Sequence, residues 1–274
     1  MIIESPKARY EVGKLVAETE LYRLYLCMQE DSDQQYLFQV ANEQVNNGKL
    51  DKAAFILGKL QSSAIAVEEE YAKIKDKPNR YLNYQLGFPA VEESFKLTTQ
   101  GNRRVNILKF NGVESIRDLV PLSTLVNNDR LRVDIRTSIW IMGKALKTLS
   151  FAHDSGLVIN NLSLGNILIE PDQHYVIFFN WADAQLTRDR VTRSEAREEI
   201  IELAHTVIKI LDGSVEDGIP NDGSEGEVAY CKHLIELATN GHSNAFNAHK
   251  EFYELVDSIW ERGFHEFTAL PRGR

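Results

Sequence analysis

The chain has 274 residues, of which 43% are apolar, and it carries a formal net charge of −9. An apolar fraction of this size supports a globular core in one domain or in two close-packed lobes. The negative charge argues against a nucleic-acid surface as the main role, and no apolar run approaches the ~18 residues that a membrane span needs.

Cysteine usage and the first residues indicate the compartment. The two cysteines, Cys27 and Cys231, lie far apart in the sequence and in apolar company. This predicts buried free thiols in a reducing compartment, with no disulfide and no metal cluster built from them. The first residues lack the basic-then-apolar pattern of a secretory signal. We therefore expect a soluble cytoplasmic protein.

Residues 1–110 predict a small antiparallel sheet with one long helix. Four stretches have the alternation typical of strands: residues 10–27, 35–41, 88–97 and 104–110. The last two are separated by a polar turn at residues 98–102, and the pair Arg103-Arg104 is expected in that turn.

The helix of this part is predicted from about Leu50 to Ile74. The pair Ser62-Ser63 could divide it into two helices. Its apolar positions recur at spacings near three and four, and they are Ala54, Leu57, Leu60, Ala64, Val67, Tyr71 and Ile74.

Residues 111–274 predict a mainly helical part. Asp134 can cap a helix that runs to His153 and ends at Gly156. Two more helices are expected at about residues 194–211 and 244–260. The first helix has an apolar stripe formed by Ile135, Ile139, Met142, Leu146, Leu149 and Ala152. Residues 213–227 are rich in Gly, Asp and Glu and predict a solvated loop.

The stretch from His153 to Asp183 carries the most information about function. It contains in order a polar loop, two short apolar runs joined by a turn, and an aromatic tripeptide, at residues 159–166, 167–169, 175–179 and 180–182. This order resembles the catalytic loop of a protein kinase, the two strands that follow it and the metal-binding Asp-Phe-Gly tripeptide.

The resemblance assigns a position to several residues. Asn166 matches the asparagine of the kinase catalytic loop, and counting back five places puts Asn161 at the catalytic aspartate. Asn180 falls at the aspartate of Asp-Phe-Gly. Gln39 falls at the strand lysine that binds the phosphates.

The helix glutamate of a kinase is best matched by Glu68, with Glu70 as the alternative because three glutamates follow one another. Lys77-Pro78-Asn79 resembles the usual turn after that helix. Residues 106–110 resemble the strand that enters the hinge near Asn111-Gly112, and residues 199–213 resemble the central buried helix of the large lobe.

The resemblance covers residues 8–265 and implies a bilobal α+β fold. The N-lobe, a twisted antiparallel sheet plus a long helix, would take residues 1–110, and the mainly helical C-lobe residues 111–274. Few residues separate Asn180 from the next helix and none of them resembles Ala-Pro-Glu, which implies a shortened activation segment.

The chemistry that a kinase needs is missing from these positions. Phosphoryl transfer depends on positioning and charge. Gln39 is neutral and cannot pair with a phosphate as an ion. Asn161 has no basic oxygen that could accept a proton. Asn180 offers only an amide oxygen to Mg²⁺, and a hard dication prefers carboxylates.

The glycine-rich loop is missing as well. Its three positions fall at Ala17, Thr19 and Tyr22, where side chains would crowd the phosphates. The resemblance therefore implies only a vestigial cleft, and its expected lining is Ala17, Thr19, Gln39, Leu108, Asn161, Asn166, Leu168 and Asn180.

These losses predict a pseudokinase, a catalytically inactive kinase-like protein that acts as a scaffold or regulator by binding another protein. We expect no cofactor, no metal and little or no Mg-ATP binding, and we expect neither nucleic acid nor a membrane as partner. A homo-oligomer is also compatible with the sequence.

Three alternatives stay open. The first is an active, divergent phosphotransferase that uses ATP and Mg²⁺ with a relocated acid such as Asp183. The second is a plain interaction module that binds through the acidic loop at residues 213–227 or through an arginine-rich segment, formed by Arg188, Arg190, Arg193 and Arg197. The third is an unrelated mixed α+β protein in which Asn160-Asn161 only forms a turn and Trp181 only fills the core.

Overall fold

The computed structural model describes residues 1–30, 32–74, 82–261 and 263–273. The chain divides into two units. The first unit consists of Met1–Arg117 and Asn180–Asp183, and the second of Asp118–Phe179 and Ala184–Arg274. The expected turn at Lys77-Pro78-Asn79 lies outside the described residues.

The first unit is built on a six-stranded antiparallel sheet. Its strands are β1 (Ile2–Glu4), β2 (Arg9–Glu18), β3 (Tyr22–Gln29), β4 (Gln35–Ala41), β5 (Ala90–Leu97) and β6 (Arg103–Lys109). Their order across the sheet is β1-β2-β3-β4-β6-β5. All four predicted strand regions are present. Arg103-Arg104 begins β6, and its predicted place in the turn was therefore wrong.

One face of this sheet buries an apolar cluster that includes Tyr10, Cys27, Phe38, Val105 and Ile107. On β2 and β3, Tyr10 and Cys27 alternate with exposed or half-buried residues. On β4 and β6 the neighbours of Phe38 and Ile107 are buried as well, so both faces of these two strands are covered. Burial also raises the pKa of the Cys27 thiol to about 12, which keeps this thiol protonated at neutral pH.

A single long helix, α1 (Asn47–Ile74), packs on strands β5 and β6. The possible interruption at Ser62-Ser63 is absent, and the Ser62 hydroxyl donates a hydrogen bond to the carbonyl oxygen of Gly58 within the same helix. The buried face is made by Leu50, Ala53, Ile56, Leu57, Leu60 and Ala64. Val67 and Ile74 were expected on this face, and both are exposed.

The second unit is mainly helical. Its helices are α2 (Ile135–Asp154), α3 (Arg193–Ile210), α4 (Glu225–Asn240) and α5 (Ala245–Ile259). The Asp134 side chain accepts from the Thr137 N–H and caps α2, as predicted. All six residues of the predicted α2 stripe are buried. α2 packs against both α3 and α5, and α3 packs against α4.

The prediction for residues 213–227 was correct only in part. The loop ends at Ser224, whose hydroxyl accepts from the Glu227 N–H and caps α4. α4 itself was not predicted. It buries Tyr230, Cys231 and Leu234. Both cysteines of the chain are buried free thiols, as expected.

Short strand pairs complete this unit. They are β7 (Val120–Pro121), β8 (Leu131–Val133), β9 (Leu157–Val158), β10 (Ile167–Glu170), β11 (Tyr175–Phe178), β12 (Gln185–Leu186) and β13 (Ala269–Pro271). β10 lies between β11 and β7, β9 pairs with β12, and β8 pairs with β13. No helix in the described part of the chain is long and apolar enough to cross a membrane.

Candidate functional site

Gln39 lies on β4, directly opposite Asn106 of β6. Both side chains are buried. Asn106 Nδ2 donates to Gln39 Oε1 at 3.0 Å and also to the carbonyl oxygen of Leu50, in the first turn of α1, at 3.1 Å. Asn106 Oδ1 accepts from the Ser94 hydroxyl at 2.7 Å. Gln39, which the sequence matches to the strand lysine, is therefore one end of an uncharged hydrogen-bond network that joins three strands to the helix.

Glu68 lies on α1 and binds the chain that follows the helix. Its two carboxylate oxygens accept from the backbone N–H groups of Leu82, at 2.9 Å, and of Asn83. The Glu68 carboxylate therefore serves as a structural acceptor for two backbone donors. Glu70, the alternative match, is exposed.

The tripeptide Asn180-Trp181-Ala182 belongs to the first unit. Asn180 Oδ1 accepts from the Ala182 N–H at 3.0 Å and closes a local turn. Trp181 is 1% exposed and meets the ring of Phe88 edge to face, with the centroids 6.2 Å apart. The amide oxygen that would replace a metal-binding carboxylate thus already has a backbone donor, and the aromatic residue fills the core.

Asp183 forms an ion pair with Lys49 of α1, and Asp183 Oδ1 lies 2.9 Å from Lys49 Nζ. Both side chains are partly exposed. The Asp183 charge also acts on the buried Tyr22. Burial, and secondly this negative charge, raise the pKa of the Tyr22 hydroxyl to about 12.

The three residues that the sequence matches to the glycine-rich loop lie at the turn between β2 and β3. Thr19 Oγ1 accepts from the N–H groups of Leu21 and Tyr22, and the Thr19 hydroxyl donates to the Tyr22 carbonyl. Ala17 and Thr19 are exposed, whereas Leu108 of β6 is buried. The turn is therefore closed by a side chain, where a kinase would use glycine backbone.

The polar loop at residues 159–166 belongs to the second unit and brings Asn161 and Asn166 together. Asn166 Nδ2 donates to the Asn161 carbonyl at 2.7 Å, and the Ser163 hydroxyl donates to Asn161 Oδ1 at 2.7 Å. Asn160 adopts a left-handed backbone with φ of 58°, which asparagine tolerates. Leu168 follows on β10, half-buried and paired with Ile177 of β11.

The loop is anchored by Glu199 of α3, which sequence reasoning missed. Glu199 Oε1 accepts from the N–H groups of Ile159 and Asn160 at 2.7 and 2.8 Å, and Glu199 Oε2 lies 2.8 Å from His153 Nε2. Glu199 is 4% exposed. A charged residue on the buried side of a helix was the available signal, because such a group is retained only with partners.

Two further α3 side chains hold the same loop. Glu202 Oε1 accepts from the Leu162 N–H at 2.9 Å, and the Thr206 hydroxyl donates to the Leu162 carbonyl at 2.8 Å. The backbone of residues 159–162 is thus fixed by a helix, while the side chain of Asn161 is used within the loop. Among the described residues no group of three or more His, Cys, Asp or Glu is placed to hold a metal ion.

Comparison with known proteins settles the fold. No protein-family model matches the chain, and no curated protein sequence does. Among solved structures, the BubR1 kinase domain matches with a TM-score of 0.63 and 9% sequence identity, over 94% of this chain and 83% of that chain. The chain has a protein kinase-like fold.

In this fold the six-stranded sheet and α1 are the N-lobe, and the helical unit is the C-lobe. Only residues 184–192 lie between Asp183 and the start of α3, which makes the activation segment short. The expected bilobal α+β fold is confirmed. At 9% identity the similarity carries the fold alone and says nothing of catalysis.

Proposed function

We propose that this protein is a pseudokinase, which acts as a scaffold or regulator by binding another protein and transfers no phosphate. The observation that carries this proposal is the buried network of Gln39 and Asn106. A phosphate-binding cation is replaced there by a neutral side chain whose acceptor oxygen is already hydrogen-bonded. An incoming phosphate would meet no positive charge from this residue.

The other matched positions support the same conclusion. The amide oxygens of Asn161 and Asn180 each accept a hydrogen bond in a local turn. Neither amide can act as a general base, and neither supplies the negative charge that holds Mg²⁺. The carboxylate of Glu68 holds backbone N–H groups. We therefore propose that the protein needs no cofactor and no metal.

The alternative of a relocated catalytic acid has less support. Asp183 is paired with Lys49 at 2.9 Å, and it belongs to no group of three or more His, Cys, Asp or Glu among the described residues that could hold a metal ion. A carboxylate held by an ammonium group is a poor candidate for binding Mg²⁺, because the cation would have to displace its partner.

Binding to a protein partner is supported by an arginine surface at the start of α3, defined by Arg188, Arg190, Arg193 and Arg197. All four residues are exposed. Within the described part of the chain none of them has a carboxylate within 4.0 Å, although the protein carries a net charge of −9. Unpaired arginines suit an acidic surface or segment of a partner protein.

Catalytic inactivity is tested by thermal denaturation with and without millimolar Mg-ATP, together with a phosphate-transfer assay. We expect a change in melting temperature below about 1 °C, because a ligand stabilises a protein only if it binds the folded state. Stabilisation by several degrees, or phosphate transfer that Asp183→Ala abolishes, would contradict the proposal.

The binding role is tested with a charge-reversal variant in which the four residues of the arginine surface become Glu. The matched control is K14E/K96E/K209E/K232E, which changes the net charge equally at exposed lysines elsewhere. Partners captured by the wild type and by the control, and lost by the arginine variant, would support the arginine surface. Equal capture by all three proteins would assign binding to another surface.

A further inference from the structure

A cavity of about 620 Å³ lies in the C-lobe between α2, α5 and the segment that follows α5. Its volume falls within the range of roughly 300–1,000 Å³ that small-molecule sites occupy. All the residues that line it belong to the C-lobe. None of the matched kinase positions takes part in it, and the cavity is therefore independent of the proposed function.

Four large aromatic side chains line this cavity. They are Trp140 of α2, Phe246 and Tyr253 of α5, and Trp260 just after α5. Tyr253 reaches across Gly143 of α2, and its hydroxyl lies where a Cβ on that residue would project. The glycine is thus what allows α5 to bring an aromatic side chain this close to α2.

Two residues of the cavity wall, Trp140 and His174, belong to a stack of three rings. The Trp140 and His174 rings are parallel with centroids 4.4 Å apart, and the ring of Phe264 stacks on the other side of His174 at 4.3 Å. Phe264 and Phe246 are 73% and 58% exposed. Large exposed aromatic side chains beside a cavity are typical of a binding site.

Two polar groups that line the cavity are hydrogen-bond donors. Arg136 lies over the Trp260 ring with its guanidinium carbon 5.2 Å from the centroid, and no carboxylate of the described residues lies within 4.0 Å of it. Trp140 is 8% exposed, and its Nε1 has no acceptor among the described residues. A buried indole N–H normally has a partner, and its absence leaves a donor to be satisfied.

Three acidic residues line the cavity, and all three are exposed: Glu254 and Asp257 on α5, and Glu261 just after it. Glu254 pairs with Lys250, which also lines the cavity, at 3.6 Å. His249 is neutral near pH 7, since burial and secondly the charge of Lys147 lower its pKa to about 4. The interior therefore presents a cation and an N–H donor, whereas the negative charges face solvent.

We propose that this cavity binds a small aromatic carboxylate. Its rings pack against Trp140, Tyr253 and Trp260, and its carboxylate faces Arg136. The aromatic walls favour a flat apolar body, because stacked and edge-to-face ring pairs add to the burial of apolar area. The Arg136 guanidinium matches a carboxylate by charge and by its two parallel donors. A cationic ligand would meet Arg136 and is disfavoured.

The test uses a fluorinated biphenyl carboxylate as the probe and its primary amide as a neutral analogue of the same shape. Fluorine NMR follows the probe. The indole N–H signals of the three tryptophans follow the protein. We expect the carboxylate to shift the signals of Trp140 and Trp260 and to leave that of Trp181, which belongs to the N-lobe, unchanged. The amide should bind about tenfold more weakly, since it lacks the charge-assisted bond.

Two variants and one control locate the site. Arg136→Gln should weaken carboxylate binding by about tenfold and remove the preference over the amide, and Trp140→Phe should weaken it several-fold. Arg132→Gln, on β8 outside the cavity, should leave the affinity unchanged. Thermal melting of each variant verifies the fold, and Trp140→Phe keeps the test decisive if Arg136→Gln does not fold. Absence of binding at millimolar probe, or equal affinity for acid and amide, would overturn the proposal.

Discussion

Gln39 and Asn106 face each other across two neighbouring strands, and a 3.0 Å hydrogen bond joins their buried side chains. The same Asn106 amide also binds the carbonyl of Leu50 in α1. The centre of the N-lobe is thereby held by uncharged groups that satisfy one another. A network of this kind stabilises the fold when every group in it is hydrogen-bonded. Replacing one of its members by a charged residue should therefore lower the stability of the fold.

The substitution Gln39→Lys, which introduces the lysine of the kinase pattern, should destabilise the protein by about 2–4 kcal/mol at pH 7. A buried ammonium group would then lie beside the Asn106 donors. Urea unfolding measures the loss. Gln44→Lys, at an exposed position, is the control and should change stability by less than about 0.5 kcal/mol. Unchanged stability together with new stabilisation by Mg-ATP would show that the site retains a place for the lysine.

The loop at residues 159–162 depends on Glu199, and Glu199→Gln should lower the free energy of unfolding by about 1–3 kcal/mol. One carboxylate oxygen accepts from two backbone N–H groups and the other lies beside His153. A neutral amide lacks the negative charge that strengthens these contacts. Amide hydrogen exchange should accelerate at Ile159 and Asn160.

Glu198→Gln is the matched control for this prediction, because Glu198 is exposed on the same helix and accepts only from the Ser194 hydroxyl in the described contacts. It should leave both stability and exchange at the loop unchanged. Equal exchange rates in the Glu199 variant and the wild type would show that the loop is held by Glu202 and Thr206 instead.

The features that the sequence predicted correctly are local ones. The Asp134 cap and the apolar stripe of α2 involve residues a few positions apart, and periodicity reports them directly. On α1 the same reasoning placed Val67 and Ile74 inside. Both side chains are exposed, and periodicity does not show where along a helix the packing ends. α4 was missed because the glycine-rich and acidic run before it hid the Ser224 cap.

The contacts that define the candidate site could not be predicted, because they join distant parts of the chain. Gln39 and Asn106 are 67 positions apart, and Glu199 lies 40 positions from Ile159. The residues around Gln39 in the sequence do not indicate that Asn106 is its hydrogen-bond partner. The sequence shows that Gln39 is neutral, whereas only the structure shows which groups its side chain binds.

The ion pair between Lys49 and Asp183 should contribute little to stability. Both side chains are more than two-fifths exposed, and exposed pairs are typically worth roughly 0.2–1 kcal/mol. A double-mutant cycle with Lys49→Ala and Asp183→Ala should give a coupling energy in that range, which falls as salt is added. A coupling well above 1 kcal/mol that resists salt would indicate that the pair is shielded from solvent.

His249 should make the protein less stable as the pH falls below neutrality. Its folded pKa of about 4 lies below the ordinary value of 6.5, because burial and then the Lys147 charge oppose protonation. The unfolded chain binds the proton first, and the stability that depends on neutral His249 is therefore complete above pH 6.5 and is lost as the pH falls towards 4.

Urea unfolding of wild type and His249→Gln at pH 7 and pH 5 isolates this residue, since carboxylates titrate equally in both proteins. The wild type should lose more free energy of unfolding over this interval than the variant. Parallel losses in the two proteins would mean that His249 is protonated as readily in the folded state as in the unfolded chain.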